Sequence, residues 1–162
     1  MANRRTELPV AARAGDRDAL AALWRDHHPA LLRYLRARRS PAPDDVASQV
    51  WIDVARSIDR FEGDLTDFRR WLFTIAHRRS VDEIRRLVRS TEPSALSVRA
   101  SDRVAGADEQ YEDRTALDRA IALVATLPDA QAEAVMLFVV NELPAADVAE
   151  IMQTTEGNVR VL

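Results

Sequence analysis

Apolar residues in this chain recur at intervals of three and four positions, the spacing that places side chains on one face of an α-helix. The clearest stripe consists of Val46, Val50, Val54 and Ile58. The chain contains only four glycines, and no pair of alternating segments flanks an Asn-Gly or Asp-Gly turn. Because half-buried strands need that alternation, we predict an all-α protein.

Glycine, proline and capping residues predict where the first helices begin and end. A short helix near residues 7–14 should stop at Gly15, and Asp16 should cap the first turn of a longer helix. Pro29 lies inside that second helix and is expected to kink or interrupt it. The third helix carries the valine stripe.

A fourth helix follows a polar turn at residues 62–66, and we expect Thr66 or Asp67 to cap it. The aromatic residues Phe68 and Trp71 come next, and a core role suits them better than a role as walls of a base pocket. The second half of the helix is predicted to pack through Val81, Ile84, Leu87 and Val88. Its opposite face carries the arginine ridge, defined as Arg78, Arg85 and Arg89, beside the single acid Asp82. Such a basic face favours phosphate binding over a merely solvated surface.

Residues 91–113 are rich in Ser, Thr, Pro, Ala and acids and show little periodicity. This composition predicts a flexible linker between two small helical domains at residues 1–90 and 114–162. The second domain ends with a short helix that contains Ala149, a tight turn and a further helix, which is the spacing of a helix-turn-helix. Any helical hairpin has similar spacing, so this pattern alone is weak.

The net charge of −3 conceals an uneven distribution along the chain. Residues 1–89 carry 18 arginines against 13 acidic residues, whereas residues 90–162 carry 5 against 13. A basic half suits a polyanion, and an acidic half suits a different partner. The chain has no cysteine, no secretory signal and no apolar run of membrane-spanning length, so we expect a soluble, cytoplasmic protein without membrane insertion.

Sequence motifs for catalysis and metal binding are missing. There is no Ser-His-Asp set, no phosphate-cradling glycine loop and no dinucleotide fingerprint, and no acid is expected to stand isolated in an apolar stripe. His27 and His28 point to different faces of a helix, and neither they nor His77 has a carboxylate pair at metal spacing. We therefore predict no enzyme activity, no metal and no cofactor.

Several segments resemble a known family. Residues 44–51 read DDVASQVW, residues 60–63 read RFEG, and residues 68–86 read FRRWLFTIAHRRSVDEIRR. They closely resemble region 2 of the extracytoplasmic-function sigma factors of RNA polymerase, and residues 127–159 are similar to region 4 of that family. The resemblance implies a region 2 bundle and a region 4 helix-turn-helix in a subunit that directs polymerase to promoters.

The resemblance also implies which residues bind core RNA polymerase and promoter DNA. The polymerase would contact Asp45, Ser48, Gln49, Ile52 and Asp53. The minus-ten element, with a flipped base in the turn, would contact Glu62, Gly63, Asp64, Leu65, Thr66, Arg78, Arg79, Asp82, Arg85, Arg86 and Arg89. The minus-thirty-five element would contact Thr155, Glu156, Asn158 and Arg160. An anti-sigma factor is a further partner that the family implies.

Three departures from the family pattern stand out. Ser48-Gln49 replaces a common Gln-Glu pair, His77-Arg78 replaces a common Arg-Asn pair, and Gln153 stands where glycine is usual in the turn of the helix-turn-helix. From Glu156 only seven residues remain, fewer than the roughly 11 that three helical turns need, so we expect region 4 to be incomplete. Two alternatives stay open: a helix-turn-helix regulator that acts without polymerase, and a helical interaction module or small enzyme that does not bind DNA.

Overall fold

The computed structural model of this chain describes residues 7–90 and 116–162. Every regular element in those residues is helical, which confirms the all-α prediction. The N-terminal segment forms α1 (Leu8–Arg13), α2 (Arg17–Ala37), α3 (Pro43–Ser57), a 3-10 turn (Ile58–Arg60) and α4 (Leu65–Ser90). The C-terminal segment forms α5 (Ala116–Val124), α6 (Asp129–Val135) with a π-helical continuation (Met136–Val140), α7 (Ala145–Ile151) and α8 (Glu156–Val161). The predicted linker at residues 91–113 lies outside the described residues.

The boundary between α1 and α2 is where the sequence predicts it. Gly15 has a φ of +92°, a conformation that few residues other than glycine adopt. Asp16 caps α2, because its Oδ1 accepts hydrogen bonds from the N–H groups of Asp18 and Ala19 at 2.9 and 3.1 Å. Pro29 does not interrupt α2, which extends from Arg17 to Ala37. Pro29 has no N–H and cannot donate the usual helical hydrogen bond. Because Pro29 is exposed, that hydrogen bond is lost at the protein surface, next to solvent.

The core of the N-terminal segment lies where α2, α3 and α4 meet. Its fully buried residues include Leu23, Leu31, Leu35, Val50, Val54, Phe68 and Leu72. The Phe68 ring lies edge to face with the rings of Phe61 and Trp71, with centroids 5.8 and 5.9 Å apart. The core role predicted for Phe68 is confirmed, while Trp71 lies half-buried at the edge of the cluster.

The two segments pack against each other. Helix α2 contacts α5 and α6, and α4 contacts α7. Buried side chains of both segments, such as Leu35 and Leu137, belong to one continuous apolar cluster. The sequence did not predict this packing, because helical periodicity shows which face of a helix is apolar but not which other helix covers it. The domain limits at residues 90 and 114 stay a prediction.

Candidate nucleic-acid and polymerase interfaces

The turn at residues 62–66 is shaped by two aspartates that cap the start of α4 reciprocally. Asp64 Oδ1 accepts hydrogen bonds from the N–H groups of Thr66 and Asp67 at 2.7 and 3.0 Å, and Asp67 Oδ2 accepts one from the N–H of Asp64 at 3.0 Å. The hydrogen bonds from the backbone of Asp67 and Thr66 hold the pKa of Asp64 below its usual value. The prediction that Thr66 or Asp67 is the cap was wrong: Asp64 caps α4, and Asp67 completes a capping box.

Gly63 allows this turn to close. Its φ is +135°, and a Cβ at this position would lie 2.5 Å from the Cβ of Asp67. Leu65 packs against the apolar cluster, whereas Glu62, Gly63, Asp64 and Thr66 are exposed. The turn therefore presents polar groups to solvent from a fixed backbone conformation.

The arginine ridge lies on the exposed surface of α4, as predicted. Arg85 pairs with Asp82 at 3.8 Å, and Arg89 Nε donates a hydrogen bond to the carbonyl of Arg85 at 3.3 Å. Among the described residues, no acid lies within ion-pair distance of Arg78 or Arg89. Exposed pairs such as that of Arg85 with Asp82 contribute little and leave the arginine accessible to a phosphate.

The apolar face opposite the ridge is not packed as predicted. Val81 is half-buried, but Ile84 and Val88 keep 46% and 70% of their surface exposed. After Ser80, no residue of α4 whose side chain the structure describes is fully buried. The physical reason is that the last turns of α4 project beyond the core that this helix forms with α2 and α3.

The residues predicted to bind polymerase separate into two groups. Asp45, Ser48, Gln49 and Ile52 lie exposed on α3. Asp53 is instead bound to Arg79, whose Nε and Nη2 donate hydrogen bonds to the two carboxylate oxygens at 2.5 and 2.6 Å. The hydrogen bonds to Asp53 raise the pKa of Arg79. A predicted polymerase contact and a predicted DNA contact thus bind each other and join α3 to α4.

Helices α7 and α8 have the geometry of a helix-turn-helix. Ala149 is buried on α7, the helix against which α8 packs. The turn residue Gln153 has a φ of +54°, and the N–H of Thr154 donates to the carbonyl of Ala149 at 2.9 Å, which closes a Schellman turn. Thr155 Oγ1 caps α8 by accepting a hydrogen bond from the N–H of Asn158 at 3.2 Å.

The residues predicted to read the minus-thirty-five element are all exposed: Thr155, Glu156, Asn158 and Arg160. Like Thr155, the other three use their side chains in bonds within the motif. Arg160 pairs with Glu156 at 3.0 Å, and the side-chain amide of Asn158 donates to Thr154 Oγ1 at 2.8 Å. The structure therefore brings these four residues together at one end of the C-terminal segment. Some of their polar groups already form bonds with one another.

A buried carboxylate in α6 was missed by the sequence analysis. Glu133 is only 4% exposed, so the expectation that no acid stands isolated in an apolar stripe was wrong. Its carboxylate accepts a hydrogen bond from the hydroxyl of Tyr34 at 2.5 Å, contacts Nδ1 of His77 at 2.7 Å and pairs with Arg38 at 3.3 Å. We call these four residues the Glu133 cluster. The signal in the sequence was that Glu133 is the only charged residue between Asp129 and Glu142.

The protonation of the Glu133 cluster follows from its neighbours. Burial alone would raise the pKa of Glu133, but the hydrogen bond with His77 and the charge of Arg38 outweigh burial and lower it. Burial and the adjacent Glu133 carboxylate raise the pKa of Tyr34 far above its usual value. At neutral pH Glu133 is therefore charged, and Tyr34 is a neutral hydrogen-bond donor.

The described residues provide neither a membrane span nor a metal site. No helix in residues 7–90 and 116–162 combines the length and the apolarity that crossing a membrane requires. The same ranges hold no group of three or more His, Asp or Glu side chains placed around a common point. His27 is instead bonded to the carbonyl of Leu23 at 3.0 Å, and His77 to Glu133.

Comparisons with known proteins agree with this geometry. The profile of the family described as Sigma-70 region 2 matches residues 23–90, and that of Sigma-70, region 4 matches residues 117–162. The chain is 31% identical to the ECF RNA polymerase sigma factor SigD of Mycobacterium tuberculosis, with 99% of this chain and 80% of SigD covered. It is 28% identical to the ECF RNA polymerase sigma factor ShbA of Streptomyces griseus, with 91% and 83% covered. The solved structure of CnrH in complex with the cytosolic domain of CnrY shares the fold, with a TM-score of 0.61, 19% identity, and 95% and 86% of the two chains covered.

Two regions of this kind, in this order on an all-α fold, define a transcription initiation factor of the sigma-70 type. The chain belongs to the ECF RNA polymerase sigma factors. Core RNA polymerase and promoter DNA are therefore its partners, and neither a polymerase-independent regulator nor a module without DNA binding describes it.

Proposed function

We propose that this sigma factor divides its work among three surfaces. The exposed residues of α3 bind core polymerase, the turn at residues 62–66 and the arginine ridge hold the minus-ten element, and α8 reads the minus-thirty-five element. The observation that carries this proposal is the exposed, doubly capped turn, which leads directly into the helix that bears the ridge. In this proposal the protein acts in the cytoplasm and has no catalytic activity of its own.

The first two surfaces adjoin each other, which supports a joint role. A polar groove between α3 and α4 is lined by Asp45, Val46, Gln49, Arg79, Asp82, Glu83 and Arg86. The pair of Asp53 with Arg79 ties the two helices together beside it. Polymerase bound to α3 would therefore also orient the arginines of α4.

Promoter melting by these surfaces requires no covalent chemistry from the sigma factor. A base that has left the duplex gains roughly 1–3 kcal/mol by stacking on an aromatic side chain, and arginines neutralise the phosphates beside it. Stabilising the open strand in this way is enough to favour melting, while the polymerase carries out catalysis.

An anti-sigma factor is the remaining proposed partner. The relative CnrH was solved in complex with the cytosolic domain of CnrY, which supports a comparable protein partner here. This chain also exposes large apolar residues, among them Phe138 at 50% and Val139 at 63%, on the C-terminal segment. Apolar side chains exposed side by side are typical of surfaces that bind another protein.

The turn is tested by changing its exposed side chains and keeping its capping residues. In Glu62→Ala combined with Thr66→Ala, we expect the preferred minus-ten base to change more than the overall affinity, since a flipped base is read by its pocket. The measurement is polymerase holoenzyme binding to promoters that differ at single minus-ten positions. Asp59→Ala, which removes a nearby exposed carboxylate, is the control. A uniform loss of affinity with unchanged base preference would contradict the pocket.

The ridge is tested through the dependence of binding on salt. With Arg78, Arg85 and Arg89 changed to Ala, we expect the slope of log affinity against log salt to fall by about 0.7–0.9 for each lost phosphate contact. The control is Arg25→Ala, which removes an exposed arginine from α2. If the slope is unchanged while core polymerase still binds, the ridge is a solvated surface without a role in DNA binding.

A further inference from the structure

The second half of α4 carries arginines in two separate rows. One row is the arginine ridge, which lies on the helix face opposite the buried residues Ala76 and Ser80. The other row consists of Arg79 and Arg86. Because a helix turns by about 100° per residue, this second row is displaced from the ridge by roughly 80–100°, toward α3. The two rows therefore face different surroundings.

Both arginines of the second row are already bound to carboxylates. Arg79 donates to the two oxygens of Asp53 at 2.5 and 2.6 Å. Arg86 donates through Nε and Nη2 to the two oxygens of Glu83 at 3.1 and 2.8 Å. Bidentate pairs of this kind fix the plane of the guanidinium group and oppose its charge. In the part of the chain that the structure describes, the ridge has no such pair, and its one ion pair is a single contact at 3.8 Å.

The second row forms one wall of the polar groove between α3 and α4. The groove brings together three carboxylates, those of Asp45, Asp82 and Glu83, and two guanidinium groups. Asp53, which is bound to Arg79 beside the groove, adds a fourth carboxylate. This excess of acids repels the phosphates of DNA, because like charges brought close together are unfavourable. The groove is therefore a poor surface for either strand of a promoter.

The other wall of the groove belongs to α3. Asp45 and Gln49 line it, and both are exposed. They are two of the residues that we assign to core polymerase. Of polymerase and promoter DNA, the first is compatible with an acidic surface and the second is not. A protein segment that docks on α3 and carries a basic side chain therefore fits the groove.

We propose that the groove between α3 and α4 is part of the polymerase-binding surface, and that Arg79 and Arg86 serve this surface and do not bind DNA. The proposal rests on the assignment of α3 to core polymerase and of the ridge to the minus-ten element. A basic side chain of the polymerase lies between Asp45 of α3 and the carboxylates of α4. Arg79 and Arg86 are positioning residues, since they hold neighbouring carboxylates in place. Asp82 moves with them from the DNA-binding surface to the polymerase-binding surface.

Two neighbouring arginines provide a matched test with DNA. Arg85→Gln alters the ridge and Arg86→Gln alters the groove, and both side chains are exposed. The measurement is promoter binding by the full chain at saturating core polymerase. We expect Arg85→Gln to lower the slope of log affinity against log salt by about 0.7–0.9 and Arg86→Gln to leave the slope unchanged. An equal fall in both variants overturns the proposal, whereas no fall in either contradicts the assignment of the ridge.

Binding to core polymerase in the absence of DNA tests the groove itself. We expect Glu83→Gln to weaken this binding by about tenfold, because a hydrogen bond to a charged group is lost. Asp82→Asn should also weaken it. The Asp82 side chain is 65% exposed, so this variant still tests the groove if Glu83→Gln loses helical circular dichroism. The control Asp59→Asn removes an exposed carboxylate outside the groove and should have no effect.

Asp45→Asn separates this proposal from the assignment of α3 on which it rests. If Asp45→Asn weakens core binding and the two changes on α4, Glu83→Gln and Asp82→Asn, do not, then α3 binds polymerase and the assignment of the groove is overturned. If none of the three changes weakens core binding, the assignment of α3 fails together with that of the groove. The proposal is supported if all three weaken core binding while Arg86→Gln keeps the salt slope of the parent.

Discussion

Two residues with left-handed backbone conformations are accommodated in different ways. Gly63 has a φ of +135° and no room for a side chain, because Asp67 lies against it. Gln153 has a φ of +54° and is exposed, so its side chain meets no obstacle and only the backbone is disfavoured, by about 1 kcal/mol. The helix-turn-helix therefore tolerates the loss of the glycine that is usual at this point, whereas the turn before α4 does not tolerate such a change.

We expect Gly63→Ala to lower the free energy of unfolding by roughly 1–3 kcal/mol, the range for a strained backbone conformation. The new Cβ would also displace Asp67 and so break the capping box. Urea unfolding measures the change. The matched control is Gly157→Ala in the first turn of α8, where the nearest atom to the new Cβ is 3.9 Å away. That change should raise stability by about 0.5–1 kcal/mol, and an equal loss in both variants would contradict the assignment of strain to Gly63.

Among the elements, α3 and α4 are joined most directly by Asp53 and Arg79. The two hydrogen bonds between them form a bidentate pair that holds the helices in one orientation. Both residues were predicted to contact other molecules, because a resemblance transfers a role to a position without showing where the side chain goes. Their mutual contact holds the surfaces on either side in one orientation, and their contacts with polymerase and DNA stay predictions.

For this pair we expect the single changes Asp53→Arg and Arg79→Asp to weaken holoenzyme formation and promoter opening together. The double variant, which exchanges the charges, should recover part of both activities. A double-mutant cycle on the unfolding free energy should give a coupling of about 1 kcal/mol, at the upper end for partly exposed ion pairs. Additive effects with no recovery in the double variant would show that each residue contacts its own partner independently.

The elements themselves were largely predictable, since helix boundaries depend on residues close together in the chain. Asp16 shows this: a capping residue and the N–H groups that it satisfies are two and three positions apart. The packing of Ile84 and Val88 was not predictable, because an apolar stripe shows which face is apolar but not whether another helix extends far enough to cover it. The cap of α4 was misplaced by two or three residues for a related reason, since several polar residues compete at that turn and only the backbone decides among them.

Across the whole molecule, Glu133 shows the limit of reading a sequence locally. A single acid among apolar residues indicates in the sequence that Glu133 is unusual. Its partners Tyr34, Arg38 and His77, however, belong to two helices that are distant in the chain. No local spacing predicts that these groups meet. The contacts between the segments, which determine how regions 2 and 4 are placed relative to each other, are therefore the part of the structure that the sequence does not predict.

Acid should weaken the packing of the two segments against each other through Glu133. Its pKa is lowered in the folded protein, so its stabilising effect is complete above the pH at which free glutamate titrates, about 4.3, and is lost as the pH falls through the folded value. Tyr34, Arg38 and His77 face the carboxylate, and Arg38 also binds Ser80. We expect the stability difference between the parent and Glu133→Gln to shrink as the pH falls below about 4.3. Urea unfolding at a series of pH values measures it, and a constant difference would contradict this role.

The position of Glu133 late in the chain has a consequence for protein synthesis. Tyr34, Arg38 and His77 leave the ribosome first, and the 56 positions between His77 and Glu133 take roughly 3–11 s to translate at 5–20 residues per second. During that interval the nascent chain carries Arg38, Arg39 and Arg70 without the acidic residues that later pair with them. Each new molecule thus passes through a short period in which these three arginines, at the end of α2 and in α4, can bind any polyanion nearby, before its own C-terminal residues arrive.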